Sequence, residues 1–259
     1  MQTYDPNIDA GRQAEWGRTS EDYAAHRPGP PPSYYDMLAL VGVGLPGQRI
    51  ADLATGTGLL AREFARRGCT VEGVDIAPGQ IETATRLADG LDARFSVAPA
   101  EDTGLESGVF DAVTANQCWL YFDKAQAAAE VRRLLKPGGR LVTSHFSFQP
   151  RISEIVAASE ALVLQHNPDW SGADWPGGWD VYGAPEGFVR VGALAFDVGI
   201  EFDRAGWRGR MRALRGIGAS LSPEAVAAFD AEHAALLERI APERFDVPHR
   251  VEASVFAAA

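Results

Sequence analysis

The segment Asp52-Leu-Ala-Thr-Gly-Thr-Gly58 constrains this chain more than any other, because of what flanks it. Arg49-Ile-Ala-Asp-Leu-Ala54 reads as a short buried strand. Leu59 to Arg67 reads as a helix, with Leu60, Ala61, Phe64 and Ala65 on one face, Arg62, Glu63, Arg66 and Arg67 on the other, and Gly68 as its C′ residue. Between them, Gly56 and Gly58 permit a tight turn and let a ligand approach the backbone closely. The helix N-terminus that follows offers unpaired N–H groups to a carboxylate or other anion. Thr70-Val-Glu-Gly-Val-Asp75 is the next strand, and Asp75 closes it where a carboxylate can reach the two hydroxyls of a ribose. A strand, turn, helix, strand and acid in that order describe a nucleotide-type site.

The pattern continues with a helix from Gly79 to Asp89, short strands at Phe95-Ser-Val97 and Phe110 to Ala115, a helix from Lys124 to Leu135 and a strand from Arg140 to Phe146. Lys136-Pro-Gly-Gly139 stops the last helix. Strands separated by helices predict an α/β chain with a doubly wound, Rossmann-like, mostly parallel sheet. Beyond Phe146 the pattern changes. Ile152, Ile155, Val156, Ser159, Leu162 and Val163 mark a helix face that ends at Asn167-Pro168. Asp169 to Pro185 is irregular and rich in aromatics, Phe188 to Phe202 alternates like a strand, Ser222-Pro223-Glu224 starts a helix, and Arg250 to Phe256 reads as a final strand.

At 259 residues, with 46% hydrophobic and 23% charged residues, one domain over 1–259 is expected. A cofactor-binding core at 20–146 and substrate-side caps at 150–190 and 204–241 divide it. The net charge of −11 and the presence of only two lysines disfavour nucleic acid as a partner and leave a small molecule. Met37 to Leu45 is too short to span a membrane, and the first residues lack a signal-peptide pattern, so a cytoplasmic protein without a membrane partner is expected. Cys69 and Cys118 cannot build a disulfide framework or a four-cysteine zinc site, and no metal is expected. The oligomeric state is not legible.

A dinucleotide fingerprint wants a third glycine, and Ala61 stands there. A P-loop is excluded, since no Gly-Lys-Ser/Thr is present. An NAD(P)-dependent oxidoreductase stays as an alternative, against which stands the lack of a Tyr-x-x-x-Lys or a catalytic Ser/His set. The ordered series Asp52 to Gly58, Val74-Asp-Ile76, Ala100-Glu-Asp102, Phe110-Asp-Ala-Val113 and Leu135-Lys-Pro-Gly-Gly139 resembles the class I S-adenosylmethionine-dependent methyltransferases. It is most similar to the small-molecule group that includes ubiquinone-biosynthesis and trans-aconitate-type enzymes. The resemblance implies a seven-stranded fold with an antiparallel last strand and a helical and loop cap inserted after the fifth strand. It also implies methyl transfer from S-adenosyl-L-methionine to oxygen, nitrogen or carbon by direct in-line displacement, with S-adenosyl-L-homocysteine as product. A protein of this fold that binds the cofactor without methylating, or that uses it in a cyclisation, remains open.

On that resemblance the Asp52 loop, with Ala54, Thr55, Gly56 and Gly58, holds the methionine part of the cofactor. Asp75 takes the ribose, Ile76 and Gln80 flank the adenine, and Ala100 and Glu101 meet its edge. Asn116, Gln117 and Cys118 line the sulfonium end. Tyr23-Ala-Ala-His-Arg-Pro28 looks like a segment whose tyrosine covers the methyl donor and whose arginine, Arg27, meets its carboxylate. Ala54 stands where relatives commonly carry glycine, Pro99 where many carry aspartate, and Leu120-Tyr-Phe-Asp123 replaces a frequent His-Trp-Phe-Asp. His145 is the candidate base, ahead of His166, because strand ends are where ligands sit in open α/β sheets. Trp119, Tyr121, Trp170, Trp175 and Trp179 are candidate acceptor contacts. Trp170, Trp175, Trp179 and Tyr182, beside Asp169, Asp174 and Asp180, suit a lid over a flat aromatic or cationic acceptor. His233 lies on an apolar stripe and reads as core. The arginines from Arg204 to Arg215 read as a polar face, or as a grip for an acidic substrate.

Overall fold

The computed structural model describes residues 8–12, 14–175 and 183–259. Seven strands, β1 (Arg49–Leu53), β2 (Thr70–Asp75), β3 (Ala93–Val97), β4 (Phe110–Asn116), β5 (Leu135–Phe148), β6 (Phe188–Asp203) and β7 (Arg244–Ala258), form one sheet in the order β3-β2-β1-β4-β5-β7-β6. Strands β1 to β5 pair in parallel, and an antiparallel last strand makes the sheet mixed. The helices are α1 (Ser20–His26), α2 (Pro32–Leu40), α3 (Leu59–Arg66), α4 (Pro78–Leu87), α5 (Lys124–Leu134), α6 (Glu154–His166), α7 (Arg204–Arg212) and α8 (Pro223–Ile240). None of those described is long and apolar enough to cross a membrane.

Two compact units divide the chain, with the divisions falling inside β5, β6 and β7. The first to consider comprises Gly29–Phe146, Gly178–Phe196 and Val251–Ala259. Its core gathers Leu53, Val74, Phe110, Val113, Leu134 and Leu141 from strands and helix α5, with Phe188 and Phe256 closing it. Helix α3 buries Leu60, Ala61, Phe64 and Ala65, the face that its spacing predicts, and Gly68 ends it at φ 89°. Asp123 caps α5 by accepting from the Gln126 N–H.

Helix α5 ends before Lys136-Pro-Gly-Gly139 as the sequence predicts, but β5 begins at Leu135 rather than at Arg140. Leu135 already pairs with Phe110, and the register then slips so that Ala112 faces Arg140. Lys136-Pro-Gly-Gly139 is absorbed into the strand as an irregularity, with Gly138 at φ 80°. The Lys136 ammonium holds it by donating to both Asp111 oxygens at 2.9 and 3.0 Å. Helix α2 was hidden by the prolines before it, yet Pro32 at its first turn costs nothing, since that N–H has no intrahelical partner.

The other unit comprises Met1–Pro28, Ser147–Gly177 and Asp197–Arg250. Phe148, Val156, Val163, Trp207, Met211, Phe229 and Leu237 form its core. Ser222 caps α8 through the Ala225 N–H, with Pro223 following as the sequence predicts. His233 is fully buried, and its Nε2 meets Ser159 Oγ at 2.9 Å. That hydroxyl also takes the Trp207 indole N–H at 3.0 Å and donates to the Ile155 carbonyl. Helix α7 has no sequence signature, because Gly206 and Gly209 argue against a helix. Tertiary contacts override that propensity, as Trp207 and Met211 are wholly buried on it.

Candidate functional site

The strand order reverses between β1 and β4, and open α/β sheets bind ligands in the crevice outside such a point. Asp52 of β1 and Thr114 of β4 face one another across it in register. The Thr114 hydroxyl donates to Asp52 Oδ1 and the Thr55 hydroxyl to Oδ2, both at 2.6 Å. Burial pushes the Asp52 pKa up to about 6 against the pull of these two hydroxyls, and the nearby charge of Asp75 adds to the rise. Asp52 is therefore a buried carboxylate that organises the turn, held by two hydroxyls rather than by a cation.

The turn itself is built from positive φ values. Ala54 has φ 47°, Gly56 57° and Gly58 75°. Ala54 thus occupies a left-handed conformation, a strain of about 1–2 kcal/mol. The turn closes with the Thr55 N–H on the Val74 carbonyl and the Gly58 N–H on the Thr55 carbonyl, each at 2.9 Å. Its two glycines differ in surroundings. A Cβ on Gly56 would find only Gln80 Oε1, at 3.9 Å, whereas one on Gly58 would meet the Phe95 ring at 3.0 Å and Ala84 at 3.4 Å. Gly58 is required by the packing of β3 and α4; only Gly56 presents an open face.

Asp75 closes β2 as expected. Its Oδ2 accepts the Gly56 N–H at 3.0 Å and its Oδ1 the Ala77 N–H at 2.9 Å. Burial raises its pKa, opposed by these backbone donors. A carboxylate offers about four acceptor positions, so the two already used leave room for two hydroxyls. Thr57 is wholly buried, and its hydroxyl has no hydrogen-bond partner among the described residues. Gln117, at φ 60°, likewise has an Oε1 without one. Unsatisfied buried polar atoms call for an explanation, and a polar ligand between β1, β2 and β4 supplies one.

At the end of β4, the buried Tyr34 hydroxyl donates to Ser144 Oγ at 3.0 Å, and Ser144 donates to Asn116 Oδ1 at 2.9 Å. The Gln117 N–H bonds the Ser144 carbonyl at 2.7 Å. This chain fixes the Asn116 amide, and neither Tyr34, Ser144 nor Thr114 stood out in the sequence. The available signal was a hydroxyl residue inside an otherwise apolar strand run. Cys118 is buried and its thiol donates to the Leu53 carbonyl at 3.3 Å. Burial raises the thiol pKa well above its usual value, and the charges of Asp52, Asp75 and Glu101 raise it further. Three carboxylates therefore act on one point at this edge of the sheet.

Gln80 is buried on α4, Ile76 is half-buried, and Ala100 belongs to the apolar core. Glu101 accepts the Asp123 N–H at 2.9 Å and so ties this edge to the start of α5. His145 is half-buried on β5, on the opposite side of the strand from Ser144. Tyr23 and Arg27 belong to the other unit, where the Arg27 guanidinium lies 5.0 Å over the Tyr23 ring.

Two of the expected acceptor contacts need correction. Trp119 is 1% exposed and packs edge-on to Phe122 in the core, 5.6 Å between centroids, so it offers no surface to an acceptor. Trp170 is likewise a core residue, capped by Gly172 and Gly216, whose absent side chains make room for its ring. Tyr121 packs against the core periphery and Trp175 is half-buried. Trp179, Asp180 and Tyr182 lie outside the described residues. Asp174 is tied to Arg151 by hydrogen bonds of 2.8 and 2.9 Å. The arginine-rich helix is also not a uniform polar face, since Arg210 is buried.

Topology and geometry define a Rossmann-like chain whose candidate ligand site is the carboxyl edge of β1, β2 and β4. Residues 51–143 match the family described as "Methyltransferase domain". A demethylmenaquinone methyltransferase of Thermus thermophilus is 43% identical over 109 residues, covering 40% of this chain and 50% of that protein. A ubiquinone biosynthesis O-methyltransferase of Alkalilimnicola ehrlichii is 31% identical over 147 residues, covering 54% and 60%. The chain thus spans about half the length of the curated relatives it matches. A solved structure from Anaeromyxobacter dehalogenans, provisionally described as a type II methyltransferase, shares the fold at a TM-score of 0.63 and 24% identity, covering 90% of this chain and 97% of that one.

Proposed function

We propose that this chain binds S-adenosyl-L-methionine and transfers its methyl group to a small-molecule acceptor. The observation that carries this reading is the pair of buried carboxylates, Asp52 and Asp75, ending neighbouring parallel strands beside the unsatisfied Thr57 hydroxyl. That edge carries negative charge and suits a cationic ligand; the pyrophosphate of a nicotinamide dinucleotide would be repelled there. The matched relatives, a demethylmenaquinone methyltransferase and a ubiquinone biosynthesis O-methyltransferase, support the same reading.

In this scheme Asp75 takes the ribose hydroxyls, Gly56 admits the ligand to the backbone, and Thr57 and Gln117 satisfy their buried polar atoms on it. Ile76 and Gln80 flank the adenine, and Glu101 marks its outer edge. Asn116, held by Ser144 and Tyr34, faces the reacting end. When bound, the cofactor supplies an activated sulfonium methyl, so the chain contributes chiefly alignment, a term that reaches roughly 7–11 kcal/mol in well-oriented systems. His145 is the proposed base for an acceptor that must lose a proton.

Isothermal titration tests the reading directly. S-adenosyl-L-homocysteine should bind and NADH should not; NADH binding without S-adenosyl-L-homocysteine binding would remove the proposal. A second measurement uses the titration of Asp52. Since its folded pKa is raised to about 6, the carboxylate is charged at pH 7 and mostly neutral at pH 5. S-adenosyl-L-methionine carries one more positive charge than its demethylated product. Its affinity relative to that product should therefore fall several-fold between pH 7 and pH 5, and Asp52→Asn should flatten the dependence. A ratio indifferent to pH in the wild type would show that Asp52 does not sense the sulfonium.

A further inference from the structure

Helix α7 and the turn after it carry five arginines, and four of them have carboxylates. Arg204 pairs with Glu243 at 3.7 Å, and Arg208 and Arg212 share Asp230, with Arg212 also on Asp22 at 2.8 Å. Arg215 meets Asp9, with Nη2 at 3.0 Å from Oδ1. Arg210 is the exception. It is 2% exposed, and its Nε and Nη1 have no hydrogen-bond partner among the described residues. Its guanidinium lies 5.1 Å from the centre of the Phe148 ring.

The neighbours of Arg210 make the missing anion conspicuous, because they are basic or aromatic. Burial holds the Arg210 pKa well below its usual value, and the charge of Arg27 lowers it further, with only Tyr23 acting the other way. His249 is 1% exposed, with Nδ1 at 2.9 Å from the Val247 carbonyl. Burial lowers its pKa to about 3; the Val247 carbonyl opposes this, and the charges of Arg210 and Arg27 add to it. The His26 ring lies so close to Gly209 that any side chain there would collide with it. Asp22, on the helix that carries Tyr23 and His26, is already taken by Arg212 and by His26 at 3.7 Å. A buried guanidinium without an anion costs stability, and in a chain of net charge −11 carboxylates were not scarce.

We propose that Arg210 is an anion-binding residue that receives the carboxylate of a small organic acid. The guanidinium fork matches a carboxylate in a bidentate pair, with Phe148 as the flat surface behind it. The anion site does not rest on the methyl-transfer reading.

The test compares wild type with Arg210→Met by thermal unfolding. Sodium benzoate at millimolar concentration is the probe, benzamide its neutral counterpart, and S-adenosyl-L-homocysteine the reporter of the other site. Without ligand, Arg210→Met should melt at the same temperature as wild type or higher, because an uncompensated charge has been removed. Benzoate should raise the melting temperature of wild type but not of Arg210→Met, benzamide should raise neither, and both proteins should respond to S-adenosyl-L-homocysteine. The proposal is overturned if wild type ignores benzoate, if it responds equally to benzamide, or if Arg210→Met responds as wild type does. It is also overturned if Arg210→Met melts well below wild type, which would make the arginine structural. A wild type that binds benzoate through Arg210 yet ignores S-adenosyl-L-homocysteine would end the methyl-transfer reading and leave the anion site standing.

Discussion

Asp75→Ala should fold and still lose S-adenosyl-L-homocysteine affinity by roughly 10²- to 10⁴-fold, the equivalent of two charge-assisted hydrogen bonds. The carboxylate is 6% exposed, and each oxygen already accepts one backbone N–H, from Gly56 and from Ala77. Those bonds fix the carboxylate at the end of β2 and leave its remaining lone pairs to a pair of vicinal hydroxyls, which is what a ribose offers. Removing it also frees the Gly56 N–H, so the turn loses one of its ties to β2 and keeps the Thr55 N–H on the Val74 carbonyl. Asp75→Asn should lie between, since an amide keeps one acceptor but turns its NH₂ toward a backbone donor. Titration with adenosine separates a ribose contact from a purely structural one. Adenosine and S-adenosyl-L-homocysteine should lose affinity by similar factors in Asp75→Ala. Intact adenosine binding in the variant would place Asp75 outside the nucleoside contact, and unchanged affinity for both ligands would remove it from the site.

The parts of this site that were legible in the sequence are those whose chemistry is local. Asp52, Gly56, Gly58 and Asp75 announce themselves because a strand-to-helix turn with positive φ needs glycine, and a carboxylate at a buried strand end needs partners. The α3 face, the Ser222 cap and the burial of His233 follow from spacing alone. What escaped depends on contacts distant in sequence. Thr114 matters only because register sets it opposite Asp52, and Tyr34 only because α2 brings its hydroxyl to Ser144. Helix α7 was hidden because its two glycines lower helix propensity, while arginine–carboxylate pairs with Asp22 and Asp230 and a buried Trp207 hold it. Trp119 and Trp170 misled for the opposite reason: aromatic side chains near a site resemble ligand contacts in sequence, but their large apolar area is as readily spent on the core.

The two glycines of the turn should respond in opposite ways to the same added methyl group. Gly56→Ala places a Cβ in open space near Gln80, so its structural cost is the left-handed φ of 57°, about 1 kcal/mol. Gly58→Ala adds to a φ of 75° a contact of 3.0 Å with the Phe95 ring, and Phe95 cannot retreat easily because Gly73 already lies against it, where a Cβ would stand 2.7 Å away. Strain and overpacking together amount to about 2–4 kcal/mol. Thermal melts should therefore show a drop for Gly58→Ala more than twice that for Gly56→Ala, and trimming the ring in Gly58→Ala/Phe95→Leu should recover part of it. Binding should reverse the order. Gly56→Ala should lose most of its S-adenosyl-L-homocysteine affinity, because the methyl group occupies the face where the ligand meets backbone, while folded Gly58→Ala should bind within a few-fold of wild type. If Gly58→Ala loses affinity and Gly56→Ala keeps it, the ligand must enter from the Phe95 side of the turn, and the open face at Gly56 has another explanation. Equal losses in both would mean that the turn responds as one rigid piece, with neither glycine distinguishing ligand from fold.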